Sequence, residues 1–296
     1  MKRGYLIVNS QLHTGKFEEL ADMLMDSAEK YRMSLECRTA MDLLTPVGVL
    51  RSAALPDYAI FWDKDAFFAQ QLEAAGVRLF NSSDAVLLCD DKARTAAALA
   101  RAGICQPRTV VAPMAFQNIG YTDLSFLRRA GELLGYPMVL KECFGSFGQQ
   151  VWLARNLTEA EKIVTDRIGG RPFLMQEFIA CSAGQDLRVN VVGGRVIAVL
   201  HRKNEHGDFR SNITNGGSMY RYEPTAAQVD AAIAAARAVG ADFAGVDILF
   251  GGGDKPIVCE VNACPHFKST LLCTGINLAD AIMQYVAEQL GEEAAQ

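Results

Sequence analysis

The chain has 296 residues, 50% of them hydrophobic and 21% charged, with a net charge of −5 and no dense run of Lys and Arg. At about 150 residues per domain, that length suggests two compact units able to bury sizeable cores. The acidic balance argues against a general nucleic-acid or membrane-surface binder, and no stretch approaches the roughly 20 apolar residues of a membrane span. The apolar run Tyr5–Val8 is too short for a secretion signal, so the expected location is cytoplasmic. Eight cysteines are scattered without a C-x-x-C pair, which points to reduced thiols rather than zinc ligands or disulfides.

In chain order, "GYLIVNS", "LECRT", "YAIFW" and "VRLFN" read as strands, with "FEELADMLMDSAEKY" and "AFFAQQLEAAG" as helices between them. Strands alternating with helices predict βαβ units, a parallel sheet and a doubly wound α/β domain over residues 1–88. It has no Gly-x-Gly-x-x-Gly, and "HTGKF" lacks the earlier glycine and the following Ser or Thr of a phosphate loop. Near residue 90 the pattern changes. "CDDKARTAAALARAG" reads as one helix and "QPRTVVA" as a short strand, and from Pro137 come "PMVLKEC", "QVWLA", "FLMQEFI", "DLRVNVVG" and "RVIAVLHRK". Strands so closely spaced predict an antiparallel sheet, with "LTEAEKIVTDRI" packed on it. A polar loop (204–217), an alanine-rich helix, the strands "FAGVDILF" and "PIVCEVN", and the helix "NLADAIMQYVAEQL" complete the chain.

The two late strands carry the first chemistry. Asp247 interrupts one apolar run, while Glu260 and Asn262 interrupt the other at a spacing of two, which puts them on one face of a strand. Ile257, Cys259 and Val261 would then form the opposite, apolar face. Oxygen-bearing side chains without His or clustered Cys suit a hard cation such as Mg²⁺, which usually also takes substrate phosphates. The residues alone leave this open against a carboxylate paired with a buried arginine, or one facing solvent. Lys141 ends a strand before Gly145, Ser146 and Gly148, small residues that either let backbone N–H groups approach a phosphate or simply make a glycine-rich hairpin turn. Gln176 to Ile179 leave a strand where backbone groups could meet a purine, with Phe178 as cover, and Asp186 and Arg188 alternate onto one face, where they could equally form a surface ion pair. Arg202 precedes the polar loop, and Arg210 and Asn212 lie in it; the loop is either simply solvated or places these two where a guanidinium fork suits a transferring phosphoryl group.

Taken in order, "CDDK", "YPMVLKECFGSFGQQV", "MQEFI", "GQDLRVNVVGG", "GDFRSNITNGG", "GVDILF" and "VCEVNACP" resemble the ATP-grasp ligases, and among them the RimK-type glutamate ligases. The resemblance implies an α+β ATP-grasp fold over 89–291, with ATP between a lid subdomain (115–178) and a metal-binding subdomain (179–291). By position, Lys92 and Lys141 would hold phosphates beneath a lid of Gly145, Ser146, Phe147 and Gly148. Gln176, Glu177, Phe178 and Ile179 would meet the adenine and Asp186 the sugar side, with Arg188, Arg202 and Ser211 completing the nucleotide site. Arg210 and Asn212, with Lys141, would act on the γ-phosphate. Asp247, Glu260 and Asn262 would bind one or two Mg²⁺ ions, with Mn²⁺ able to substitute.

The implied reaction is ATP + carboxylic acid + amine → amide + ADP + phosphate, through an acyl phosphate. Its substrates would be an amino acid such as glutamate and a peptide or small-molecule acceptor. The resemblance also implies a homo-oligomer, dimer or tetramer, without nucleic-acid or membrane partners. An ATP-dependent phosphotransferase, or a silent nucleotide-binding regulatory module, would share the same motifs. After Asn262, His266, Phe267 and Lys268 depart from the pattern, and Lys268 and His266 would there greet an anionic acceptor.

Overall fold

The computed structural model describes residues 2–12, 15–50, 55–145, 148–211 and 217–291. Of the predicted site residues, Ser146, Phe147 and Asn212 lie outside them. The chain opens with β1 (Arg3–Val8), α1 (Gly15–Glu29), β2 (Ser34–Thr39), β3 (Tyr58–Trp62), α2 (Ala66–Ala74) and β4 (Arg78–Phe80). These strands pair in parallel in the order β2-β1-β3-β4. Successive side chains go to opposite faces, and both faces are covered. Leu6, Ile60 and Trp62 pack with Leu20 and Leu24 of α1, whereas Ile7, Ala59 and Phe61 pack with Phe68 and Leu72 of α2.

The segment read as one helix after residue 89 is two, α3 (Ser83–Asp90) and α4 (Lys92–Arg101). Asp91 breaks them. Its backbone is extended (φ −93, ψ 105), and its carboxylate accepts from the N–H groups of Ala93 and Arg94 at 2.9 and 3.4 Å. An N-cap satisfies helix-start donors only by leaving the helix itself. The consequence is functional, since Lys92 becomes the first residue of a helix.

The strand-rich stretch expected to form one antiparallel sheet divides between two. One contains β5 (Thr109–Val111), β6 (Met138–Glu142), β7 (Val151–Ala154) and β8 (Phe173–Glu177) in the order β5-β8-β6-β7. Its core is closed by α5 (Ser125–Leu134) and α6 (Leu157–Ile163), through Leu127, Ala130 and Ala160. The other contains β9 (Gln185–Val192), β10 (Arg195–Asn204), β11 (Gly217–Arg221), β12 (Phe243–Phe250) and β13 (Pro256–Asn262) in the order β11-β10-β9-β12-β13. The helix α7 (Ala226–Ala238) packs on it through Ala232 and Ala235, while α8 (Lys268–Thr274) and α9 (Leu278–Leu290) follow β13. Alternation along a strand reports which face is buried; it does not report which strand lies alongside.

Asn81, fully buried after β4, ties the parallel sheet to the large antiparallel one. Its Nδ2 donates to the carbonyls of Phe243 and Ala263 at 2.9 and 3.0 Å, and its Oδ1 accepts from the N–H groups of Asp242 and Phe243 at 2.6 and 3.2 Å.

Candidate active site

Two antiparallel sheets and the helix α4 bring the chemistry together, and an irregularity in β13 decides how. Asp247 on β12 pairs with Glu260, yet the next residue, Ile248, pairs with Val258. Cys259 is thus an extra residue, a β-bulge. Val258 and Val261, three apart, both enter the core. The face expected from simple alternation, Ile257, Cys259 and Val261, is therefore corrected: the bulge turns Cys259 toward the cleft beside Glu260.

That cleft lies between the two antiparallel sheets and α4. Lys92, Lys141, Gln176, Cys259 and Glu260 line it, with Thr95, Ala96, Leu99, Gln106 and Leu174 as its remaining wall. Lys141 donates from Nζ to the Cys259 sulfur at 3.3 Å, and Lys92 Nζ stands 3.8 Å from the Glu260 carboxylate. Burial pulls the Lys141 ammonium down, but the Cys259 sulfur, Glu260 and Asp247 push it back above the usual lysine range. Burial also raises the Cys259 thiol.

Behind it runs a line of buried charge. Asp186 on β9 accepts from Arg202 on β10, at 2.7 Å from Nε and 2.5 Å from Nη2. Asp247 accepts from Arg188 at 2.5 and 3.0 Å, and Arg202 Nη2 lies 3.0 Å from its Oδ2. Burial alone would raise the Asp247 carboxyl, yet Arg188 and Arg202 hold it below the ordinary carboxylate value. The same neighbours, Asp186 and Asp247, hold Arg202 above its own against desolvation. Asp247 therefore realises the arginine-paired alternative. Glu260 faces the cleft, and the Asn262 side chain makes no hydrogen bond among the described residues.

The strand β8 is central in its sheet, so Gln176 and Glu177 do not form an edge. Gln176 donates to Thr109 Oγ1 at 3.0 Å. The Glu177 N–H donates to the Arg108 carbonyl at 3.0 Å, while its carboxylate accepts from the Arg108 N–H and Nε at 2.9 and 2.7 Å. Burial raises the Glu177 carboxyl, but the Arg108 N–H and guanidinium outweigh it and hold the group low. Beyond the strand, Phe178 meets Phe209 edge-on at 6.3 Å, and the Ile179 carbonyl accepts from the Ser182 N–H at 3.0 Å.

The glycine loop after β6 is held by cations from across the cleft. Lys92 Nζ donates to the Gly145 carbonyl at 3.1 Å, and Arg210 Nη1 to the Gly148 carbonyl at 2.8 Å. Gly145 adopts φ +139, which disfavours any other residue there. Ser211 is buried beside Arg210. Lys268, expected to greet an acceptor, forms an ion pair with Glu19 of α1, and the His266 ring meets Phe17 edge-on at 6.3 Å. Reading the sequence missed Cys259, Arg108 and Asp208. Only Asp208, two residues before a flagged arginine, had a readable signal.

A model of the RimK-like ATP-grasp domain matches residues 89–286. The chain belongs to that family. A relative from Psychromonas ingrahamii, named a probable alpha-L-glutamate ligase, is 35% identical over 226 residues, 76% of this chain and 72% of its own. An uncharacterized protein of Mycoplasma pneumoniae is 30% identical over 272 residues, 90% of this chain and 92% of its own. The crystal structure of a RimK-domain ATP-grasp protein from Sphaerobacter thermophilus shares the fold, with a TM-score of 0.73 at 23% identity over 96% of this chain and 98% of that one. The RimK-like protein is thus a ligase of the class that joins an acid to an amine through a carbon–nitrogen bond.

Ligases of this family use ATP and Mg²⁺, and the charged side chains lining the cleft have the chemistry to meet both. Two lysines converge where phosphates would lie. Among the described residues no three His, Cys, Asp or Glu side chains come together as a cage. A cation here would rely on Glu260 and Asn262 plus phosphate oxygens, the usual habit of Mg²⁺. Asp247 would join them only by sharing the oxygens its arginines now hold. No helix among the described residues is long and apolar enough to cross a membrane.

Proposed function

We propose that the protein uses ATP to phosphorylate a carboxylic acid and joins the acyl phosphate to an amine, with an amino acid such as glutamate among its substrates. The carrying observation is the convergence of Lys92, Lys141 and Glu260 in one cleft, from α4, β6 and β13. A carboxylate resists attack by an amine because its oxygen leaves poorly. Phosphorylation makes that oxygen a good leaving group, so the protein's task is to position the reactants and neutralise phosphate charge. Lys92 and Lys141 bind phosphate oxygens, Arg210 faces the γ-phosphate with Asn212, and Phe178 and Ile179 cover the purine. Glu260 and Asn262, with a share of Asp247, hold one or two Mg²⁺ ions, for which Mn²⁺ could substitute; the metal supplies charge neutralisation at the phosphates. The preference for glutamate is supported by the name of the Psychromonas relative.

On this reading residues 1–88 help shape the acceptor site, 115–178 act as the lid, and 179–291 hold the metal. The test is an ADP-release screen over amino acids and small peptides taken in pairs, with mass spectrometry of the products. A new amide with stoichiometric ADP is expected. A stable phosphorylated acid that no amine consumes would replace this reading with a phosphotransferase.

A further inference from the structure

Arg210 is placed with more care than a solvated loop arginine requires. Its Nε lies 3.0 and 3.2 Å from the two Asp208 carboxylate oxygens, and its Nη2 donates to Oδ2 at 2.7 Å. Its own N–H donates to Asp208 Oδ1 at 2.8 Å. The Phe209 ring lies under the guanidinium, 5.7 Å from centroid to Cζ. Nη1 alone points away from Asp208, and it reaches across the cleft to the Gly148 carbonyl.

Asp208 is itself fixed. Its N–H and that of His206 donate to Asn204 Oδ1, at 3.3 and 2.8 Å. The neighbouring Phe209 carbonyl accepts from the Gly184 N–H at 2.8 Å. At Gly184, φ is +70, and a Cβ would stand 2.9 Å from the Asp208 carbonyl, so only glycine lets the loop settle there.

We propose that Asp208 is a positioning residue for Arg210: it clamps Nε and Nη2 so that Nη1 alone is presented across the cleft, where an ATP γ-phosphate exchanges with the Gly148 carbonyl. This rests on the reading of Arg210 as a phosphate-facing cation. A guanidinium has five donors in a rigid fork, and tying down one edge removes the rotamer freedom it would otherwise lose on meeting phosphate. No bond is made or broken covalently; a hydrogen bond with both partners charged replaces one in which only the guanidinium is charged, and the doubly charged pair is the stronger.

The experiment measures the affinities of a non-hydrolysable ATP analogue and of ADP, both with Mg²⁺, for wild type, Asp208→Asn, Asp208→Glu, Arg210→Ala and Asp208→Asn/Arg210→Ala. The readout is the preference for the analogue over ADP, which isolates the γ-phosphate. Asp208→Asn should lower that preference about tenfold, the equivalent of about 1.4 kcal/mol. Asp208→Glu should recover most of it, and the double variant should be no worse than Arg210→Ala alone. A preference within twofold of wild type in Asp208→Asn, or an equal loss for both nucleotides, overturns the proposal while leaving Arg210 in place. If Arg210→Ala keeps the wild-type preference, the reading of Arg210 falls and the proposal falls with it.

Discussion

Asp247 sits at 6% exposure between two arginines, at the point where the site's oxygen donors were expected to hold metal. Removing one partner of a buried ion network leaves the others uncompensated. Asp247→Ala should therefore cost about 3–5 kcal/mol of unfolding free energy, read from urea midpoints. The sign of the pH effect follows from the lowered carboxyl. Its stabilisation is complete above the unfolded value, near 3.8, and is lost as pH falls through the lower folded value. Wild type should lose stability steeply in that acid window, and Asp247→Asn, weaker at neutral pH, should show a shallower acid slope. Parallel slopes would remove Asp247 from the acid response. The chemistry at this position was readable, because a carboxylate inside "GVDILF" demands a partner. The partner was not, because Arg188 and Arg202 lie on two other strands.

At the scale of elements, Asn81 joins β4 to β12 and to the end of β13 through four hydrogen bonds, every backbone partner lying at or near a strand end. Asn81→Ala leaves those donors and acceptors without partners in a dry place. The expected cost is about 2–4 kcal/mol, as a shifted urea midpoint with an unchanged slope. A smaller slope would mean that the parallel sheet separates first. Most elements were legible: the strands from "YLIV" to "VCEVN" and the long helices follow their periodicity. The sheet partners of "FLMQE" and "DLRVNVV" were not, since both read as buried strands and a short turn separates them. The bulge at Cys259 was also hidden, because an extra residue changes which side chains face the core without changing which residues are apolar. Asp91 was legible in principle as a helix cap, but the alanine-rich run behind it reads as uninterrupted helix.

The whole molecule couples these parts through the cleft. Lys92 on α4 holds the Gly145 carbonyl, Lys141 on β6 meets Cys259 on β13, and Arg210 meets Gly148, so each bond crosses from one antiparallel sheet's side to the other's. A ligand that satisfies these cations together should stabilise the folded state as a unit. By mass action, ATP at one hundred times its dissociation constant adds about 2.7 kcal/mol. That is a rise of several degrees in the unfolding midpoint for a chain of this size, by the usual scaling. If Glu260 and Asn262 hold the metal, part of that rise requires Mg²⁺. Thermal unfolding with MgATP and with ATP plus EDTA should then differ in wild type and coincide in Glu260→Gln/Asn262→Ala, whose own unfolding without nucleotide should stay close to wild type because Glu260 faces the cleft and both side chains are only partly buried. An equal MgATP increment in the double variant would place the metal on other oxygens, Asp247 first among them.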